Sequence, residues 1–328
     1  MELSILPLQR SIPVQSGANL LNVLLENQIP ISYSCMSGRC GTCRCKVISG
    51  EVMESGQEPA VTPKRAGRTV LACQTTLLES CAIEIAEPDE VVVHPAKIVK
   101  ATVTALEDLT HDIKRVRLAP AKPIEYSPGQ YATLQFTPEH IRPYSMAGIA
   151  ADGELEFHIR LVPGGRVTSY VAEQLKVGDA VRVSGPLGTA YLRKKHQEPV
   201  ICVAGGTGLA PVLSILRGAL EAGMQNPTHL YFGVRSLRDV YGQHWIAALQ
   251  RDYPQLHAHI VVASEHKDPQ FRSGMVTDAI EQDWHSLANW RAYLAGAPVM
   301  VDAVTLLLKQ KGLAEPHIYA DAFYPNGI

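Results

Sequence analysis

Four cysteines dominate the chemistry available to this chain. Cys35, Cys40 and Cys43 are spaced C-x4-C-x2-C, and Cys73 follows after 29 intervening residues. This is the plant-type spacing of thiolates that hold a [2Fe–2S] cluster. Three thiolates converging on one inorganic core need a tightly folded loop, and Gly38 and Gly41 permit the positive φ that such a loop uses. Backbone N–H groups turned inward hydrogen-bond the sulfurs and tune the potential. A cluster of this kind moves electrons one at a time. The alternative is four buried or zinc-bound cysteines, but zinc sites usually pair their ligands in C-x2-C knuckles, and Cys73 stands alone in Leu71-Ala72-Cys73-Gln74. Cys45, Cys81 and Cys202 are expected to be inert core thiols; Cys45 lies close enough to the loop for a supporting role to stay open.

Two further constellations suit anionic cofactors. Arg142-Pro143-Tyr144-Ser145 places a cation, an aromatic ring and a hydroxyl on one strand, and Gly164-Gly165-Arg166-Val167-Thr168-Ser169 opens a predicted helix. A helix N-terminus preceded by glycine is a ready anion site. Taken alone, an ordinary strand fragment and a Gly-Gly turn read equally well. Val203-Ala204-Gly205-Gly206-Thr207-Gly208-Leu209-Ala210-Pro211 follows a predicted strand and opens a helix, the setting of a dinucleotide phosphate loop. It lacks the third glycine of G-x-G-x-x-G, so a plain strand–helix turn is the competing reading. Leu294-Ala295-Gly296-Ala297-Pro298 again ends a strand with glycine and proline, where sites in parallel sheets gather. The 12 histidines are scattered, and no Ser–His–Asp or Cys–His set stands out. That is compatible with cofactors doing the chemistry while the protein supplies geometry.

The elements that must position these residues fall into three stretches. Residues 1–90 read as short strands around one helix, Ala18–Glu26, with the cysteine loop at the edge: a β-grasp arrangement. Residues 3–14 are two short strands with a tight turn, and Cys45–Ile48 and Ala82–Ile85 are strands. A linker is placed at 91–97. Across 98–195, strands Ile98–Leu106, Ile113–Leu118, Tyr131–Phe136, Tyr144–Ile149, Leu155–Leu161 and Ala180–Val183 alternate with turns and suggest an antiparallel barrel. A helix, Val167–Gln174, interrupts it. Across 196–328, strands Val200–Ala204, His229–Val234, Ala258–Ala263, Ala292–Ala295 and His317–Ala320 alternate with helices, which predicts a parallel α/β sheet covered on both faces.

Bulk composition excludes little but points the same way. The 328 residues carry a formal net charge of −2 and 46% hydrophobic residues, so no strong field for nucleic acid or membrane is expected. Residues 91–195 carry 14 basic and 10 acidic groups, between an N-terminal stretch with 7 and 10 and a C-terminal one with 9 and 12. A basic middle fits an anionic cofactor or an acidic partner, and random surface variation fits as well. No apolar run is long enough to span a bilayer, and the start has no signal-peptide pattern. Seven cysteines, five of them within 35–73, favour metal ligation over disulfides, and the expected compartment is the cytoplasm.

The three constellations occur in the order found in a known family. The chain resembles, over essentially its whole length, the iron–sulfur flavoprotein reductases of the ferredoxin–NADP reductase superfamily. It is similar at closer range to the reductase components of naphthalene-type aromatic-ring dioxygenase systems. The stretches Ser32–Cys43, Ser127–Tyr131, Arg142–Gly148 and Ala320–Pro325 carry that likeness. The resemblance implies a plant-type ferredoxin domain at 1–90, an FAD barrel at 98–195 and an NAD(P)H-binding domain at 196–328. It implies that Cys35, Cys40, Cys43 and Cys73 ligate the cluster, and that Arg142, Tyr144 and Ser145 hold the FAD, with Arg142 on the pyrophosphate and Ser145 beside the reactive edge of the flavin. Gly165, Val167 and Thr168 would complete that phosphate site. Gly206, Thr207 and Gly208 would approach the NAD(P)H pyrophosphate, Gly296 and Pro298 would lie under the nicotinamide, and Phe323 would cover the flavin.

Two departures from the family pattern stand out. Ala295 occupies the place where many relatives have a cysteine near the path of the hydride. Arg235 and Ser236 lie where the adenosine ribose is expected; arginine and serine can meet a 2′-phosphate, so NADH and NADPH both stay open. The implied activity is an NAD(P)H:ferredoxin oxidoreductase whose partner is a Rieske-type ferredoxin feeding a dioxygenase. The alternatives are direct delivery to an oxygenase or other reductive enzyme, and a non-catalytic carrier without flavin.

Overall fold

The computed structural model describes residues 1–31, 33, 38, 43–55, 67–85 and 94–324. Cys35, Cys40, Gly41 and residues 91–93 of the expected linker lie outside them. The chain divides into one compact unit, Met1–Ala96 with Leu187–Thr189, and a second formed by Lys97–Pro186 and Ala190–Ile328.

In the first unit, apolar residues alternate with polar ones at Leu3, Ile5 and Ile12, so β1 (Glu2–Leu6) and β2 (Arg10–Pro13) turn one face inward. The helix α1 (Leu20–Glu26) starts where the Asn19 side chain accepts the Asn22 N–H at 3.2 Å, and it buries Leu20, Leu21, Val23 and Leu24. Next come β3 (Arg44–Ser49), β4 (Val52–Glu54), β5 (Arg68–Leu71), β6 (Thr75–Leu77) and β7 (Cys81–Glu84). The main sheet runs β2-β1-β7-β3-β5, with β1 and β7 parallel and its other pairs antiparallel. This is the expected β-grasp layout; β4 and β6 pair separately. Strands β4, β5 and β6, three or four residues each, are absent from the sequence expectation.

The second unit begins with the barrel strands β8 (Lys97–Asp108), β9 (Ile113–Pro120), β10 (Tyr131–Thr137), β11 (His140–Ser145) and β12 (Leu155–Arg160). The helix α2 (Arg166–Glu173) and β13 (Ala180–Leu187) follow. The order is β11-β10-β13-β8-β9-β12, and a single bridge between Met146 and Phe157 brings the two edge strands together into a nearly closed barrel. Its core holds Val103, Val116, Leu118, Leu134, Phe157 and Val183. One strand is shifted from expectation. The pattern predicts a strand at Tyr144–Ile149, whereas β11 starts four residues earlier, straight after a tight turn from Thr137 to His140, and ends at Ser145.

The chain then alternates: β14 (Val200–Gly205), α3 (Leu209–Glu221), β15 (Thr228–Val234), α4 (Gln243–Asp252), β16 (Leu256–Val262), β17 (Arg272–Ser273), α5 (Val276–Asp283), β18 (Arg291–Gly296), α6 (Pro298–Gln310) and β19 (Ile318–Ala322). All strands are parallel in the order β17-β16-β15-β14-β18-β19. Between β14 and β18 the order reverses, and the crevice at the carboxyl ends of those strands is where such sheets take ligands. Leu209, Val212, Leu213 and Leu216 of α3 are buried against the sheet, as their spacing predicts.

Candidate functional site: a thiol pair, a flavin strand and a nucleotide turn

In the first unit, Cys73 sits in a short 3-10 turn, Ala72–Gln74, tied to the end of the cysteine loop. The Ala72 N–H donates to the Cys43 carbonyl at 2.8 Å and the Cys73 N–H donates to Cys43 Sγ at 3.4 Å. Asn19, the α1 cap, also donates through Nδ2 to the Cys73 carbonyl at 3.0 Å. Two thiols far apart in sequence are thus held side by side, with a backbone N–H already aimed at sulfur. That donor set fits an iron–sulfur cluster. Gln74 Nε2 lies 3.7 Å from Cys73 Sγ, and its Cγ lies where a Cβ on Gly38 would stand, at 2.8 Å. By contrast, burial pushes the Cys45 thiol up to about 12, Cys81 to about 11 and Cys202 to about 12, so all three stay protonated and inert. The expected ligands Cys35 and Cys40 fall outside the described residues.

In the second unit, β11 alternates, which puts Arg142 and Tyr144 on one face and Ser145 on the other. Alongside β11, α2 lies with Tyr170 stacked on His140 at 4.6 Å. Gly165 caps α2 without a side chain, so the first N–H groups of the helix carry no side-chain cap. A Cβ on Gly165 would come within 2.4 Å of Thr168 Oγ1. That hydroxyl is committed to the loop, donating toward the Val162 carbonyl at 3.1 Å and accepting the Val162 N–H at 3.2 Å. Val167 points its side chain into the barrel core. Val167 and Thr168 therefore have only backbone N–H groups to offer a phosphate, and that cradle together with Arg142 and Tyr144 fits the pyrophosphate and ring of FAD.

Ser145 is buried, and its Oγ donates to Asp321 Oδ2 at 2.7 Å. Desolvation raises the Asp321 carboxyl to about 6, and the Ser145 hydrogen bond opposes that rise. Asp321 is on β19, and the Phe323 N–H beyond it donates to the Gly296 carbonyl at 2.8 Å. Asp321 and Ala295 share a small crevice with Ile215, Tyr293 and Tyr319. The stretch Ala320–Pro325 carries part of the family likeness, yet nothing local in it marks Asp321 for a role. Its partner lies 176 positions away, beyond any local spacing signal.

The glycine turn Gly206–Gly208 joins β14 to α3 as expected. A Cβ on Gly208 would lie 2.0 Å from the Ala295 carbonyl oxygen, so this glycine lets the turn pack on the end of β18. Pro298 takes the first turn of α6. The structure adds Arg160, whose Nη1 lies 3.2 Å from where a Gly206 Cβ would stand. Asp112 holds it, accepting from Nε at 2.9 Å. Arg235 is exposed, while Ser236 donates both its N–H (2.9 Å) and its hydroxyl (2.7 Å) to Asp239. With that proton committed, Ser236 offers an approaching ribose only lone pairs. Of the expected site, then, Ser145, Ala295, Gly296, Gly208 and Phe323 converge at the sheet's switch point. Cys43 and Cys73 form a separate centre in the first unit.

An iron–sulfur domain, a flavin barrel and a nucleotide sheet in one chain define an electron-transferring oxidoreductase. Residues 4–78 match the 2Fe-2S iron-sulfur cluster binding domain, 100–191 the oxidoreductase FAD-binding domain and 202–305 the oxidoreductase NAD-binding domain. The chain is 58% identical over 328 residues, all of both chains, to the ferredoxin–NAD(P)+ reductase component of the naphthalene 1,2-dioxygenase/salicylate 5-hydroxylase systems of Ralstonia sp. It is 59% identical, again over all of both chains, to the corresponding component of the naphthalene 1,2-dioxygenase system of Pseudomonas putida. Among solved structures it is similar to an Amycolatopsis cytochrome P450 reductase (TM-score 0.73, 32% identity, 99% of each chain). It is similar also to the ferredoxin reductase in carbazole 1,9a-dioxygenase (TM-score 0.67, 30% identity, 98% of each chain). The chain belongs to the iron–sulfur flavoprotein reductases of the ferredoxin–NAD(P)+ reductase family. It is an oxidoreductase with FAD, NAD(P)H and a [2Fe–2S] cluster as its electron carriers. No helix among the described residues is long and apolar enough to cross a membrane.

Proposed function

We propose that this protein passes electrons from NAD(P)H to a Rieske-type ferredoxin, which supplies an aromatic-ring dioxygenase in the cytoplasm. The observation that carries the reading is full-length identity of 58–59% to reductase components of naphthalene 1,2-dioxygenase systems, with all three modules present. When bound, FAD converts the two-electron donor NAD(P)H into single-electron deliveries to the cluster. The chain's own residues bind, orient and protonate. Arg142 and the uncapped N–H groups of α2, at Val167 and Thr168 beyond Gly165, take the flavin pyrophosphate, and Tyr144 lies against the flavin. Ser145 faces the flavin's reactive edge, and Asp321 decides which way the Ser145 proton points. An ionised Asp321 accepts the Ser145 O–H hydrogen bond, which would leave only Ser145 lone pairs toward the flavin; a protonated Asp321 donates to Ser145 Oγ and frees the Ser145 O–H to point elsewhere. Phe323 would cover the flavin ring and Gly296 and Pro298 would lie under the nicotinamide, while Gly206–Gly208 and Arg160 would receive the nucleotide phosphates. Arg235 serves the 2′ position of the adenosine ribose, beside Ser236. Cys35, Cys40, Cys43 and Cys73 hold the cluster. The borders fall at a linker of 91–97 and between 195 and 196.

A second reading, direct delivery to an oxygenase, is favoured by a full-length relative, 34% identical, that is the reductase subunit of an aromatic O-demethylase from Amycolatopsis. The test begins with the anaerobic protein mixed with NADH or NADPH, followed by either an isolated Rieske ferredoxin or an oxygenase alone. Bleaching of flavin and iron–sulfur bands with fast ferredoxin reduction supports the first reading. Reduction of the oxygenase without ferredoxin supports the second. Iron–sulfur bands without flavin would overturn both.

A further inference from the structure

The outward face of β12 is polar at alternate positions, Glu156, His158 and Arg160. On a lone barrel such a face would be wet. Here His158 is buried, because α4 and the turn before it pack against it: the Trp245 ring stacks on His158 at 5.5 Å and the Tyr241 hydroxyl lies 3.1 Å from His158 Nδ1. Burying the His158 imidazole between half-buried Glu156 and Arg160 is costly unless it finds partners. The partners lead to the nucleotide turn.

Protons can be assigned along this line. Glu156 Oε2 accepts from Arg115 Nη2 at 2.6 Å, and Oε1 lies 3.0 Å from His158 Nε2. Although burial alone would raise its carboxyl, hydrogen bonds from His158 and Arg115 bring Glu156 down to about 2. A carboxylate only accepts, so Nε2 carries the imidazole proton. Burial keeps His158 neutral, which leaves a lone pair on Nδ1. Tyr241 then has one hydroxyl proton and two acceptors, His158 Nδ1 at 3.1 Å and the Gly206 carbonyl at 3.4 Å. The same carbonyl accepts the Leu209 N–H.

We propose that Tyr241, oriented by the barrel residues His158 and Glu156, is a positioning residue that sets the Gly206–Thr207 peptide for NAD(P)H. The proposal rests on the reading that this turn receives the nucleotide phosphates. In a trans peptide the C=O and the following N–H point in opposite directions. Holding the Gly206 carbonyl toward Tyr241 therefore turns the Thr207 N–H toward the open side, where the start of α3 is electropositive. Gly206 has φ +56°, a conformation that its own backbone does not enforce, so an outside contact is needed to fix it. A phosphate accepting the Thr207 N–H polarises that peptide and strengthens its carbonyl as an acceptor. The Tyr241 proton then moves from His158 to Gly206, and the turn tightens on the nucleotide.

The experiment uses the full-length holoprotein. Flavin reduction is followed by stopped flow against NADH concentration, and ADP-ribose binding is measured by calorimetry. Tyr241→Phe is expected to raise the half-saturating NADH concentration and the ADP-ribose Kd by about threefold to tenfold, the worth of one hydrogen bond, while the limiting rate stays within about twofold. His158→Phe keeps the stack on Trp245 but removes the acceptor that competes with Gly206 for the Tyr241 proton, and is expected to lower both by a smaller factor. The double variant is expected to be no worse than Tyr241→Phe alone, because His158 acts through Tyr241. Unchanged ADP-ribose and NADH affinity in both single variants overturns the proposal, as do additive effects in the double variant or a fall confined to the limiting rate. If Tyr241→Phe does not fold, the affinity of His158→Phe decides the matter alone. A wild-type protein that binds no ADP-ribose and is not bleached by NADH would instead overturn the nucleotide reading of the turn.

Discussion

Replacing Asp321 by asparagine should remove a pH dependence centred near 6. The wild-type carboxyl is raised by burial from 3.8 to about 6, so the native state binds its proton more tightly than the unfolded chain does. The stability that goes with that proton is complete below 3.8 and is lost as pH rises through about 6. Over roughly two pK units the loss approaches about 3 kcal/mol. An asparagine still accepts from Ser145 but never ionises, so the variant should melt at a higher temperature than wild type at pH 7.5 and gain nothing at pH 4. Chemistry should follow the same titration. Asp321 is about nine-tenths protonated at pH 5 and about one-tenth at pH 7. Only the protonated form frees the Ser145 hydroxyl proton for the flavin edge, so flavin reduction by NADH should speed up by up to about tenfold between pH 7 and pH 5 in wild type. In Asp321→Asn it should be flat. Stopped-flow rates at a series of pH values decide it. An inflection of equal size in the variant, or none in wild type, would refute the reasoning.

Gly208→Ala drives a Cβ to within 2.0 Å of the Ala295 carbonyl and should cost about 1–3 kcal/mol in a thermal melt, with weaker NADH binding. Cys73→Ser should abolish the iron–sulfur signal in electron paramagnetic resonance while flavin content and flavin reduction by NADH persist. Gln74→Met, of similar shape but without an N–H donor toward Cys73 Sγ, should lower the cluster's reduction potential in a redox titration, since a donor to sulfur favours the more negative reduced state. Arg235→Ala should raise the KM for NADPH about tenfold and leave that for NADH nearly unchanged, because an exposed arginine serves the 2′-phosphate alone.

Where periodicity is long, the sequence speaks clearly. Leu209, Val212, Leu213 and Leu216 mark α3, and continuous apolar runs mark β14 and β18, buried on both faces. The cysteine spacing and the turn glycines are legible because the chemistry demands fixed local offsets. Two kinds of information are not local. Short strands such as β4 and β17 exist through their neighbours and leave no pattern of their own. Polar residues paired across long separations also leave no trace: Ser145 with Asp321, His158 with Tyr241, Arg160 with Asp112. Read in sequence, Glu156, His158 and Arg160 describe a solvated strand face, and only the packing of Tyr241 and Trp245 on His158 buries its centre. The misplaced start of β11 has a similar origin, since its turn has no glycine or Asn-Gly to announce it.

The strand β19 has a consequence for when the protein becomes active. A ribosome delivers Ser145 long before Asp321, and Gly296 before the Phe323 N–H that caps its carbonyl. The strands of the barrel can therefore all be made while the Ser145 hydroxyl has no carboxylate to govern it. One late strand, β19, with Phe323 just beyond it, thus supplies both the carboxylate that meets Ser145 and the N–H that caps Gly296.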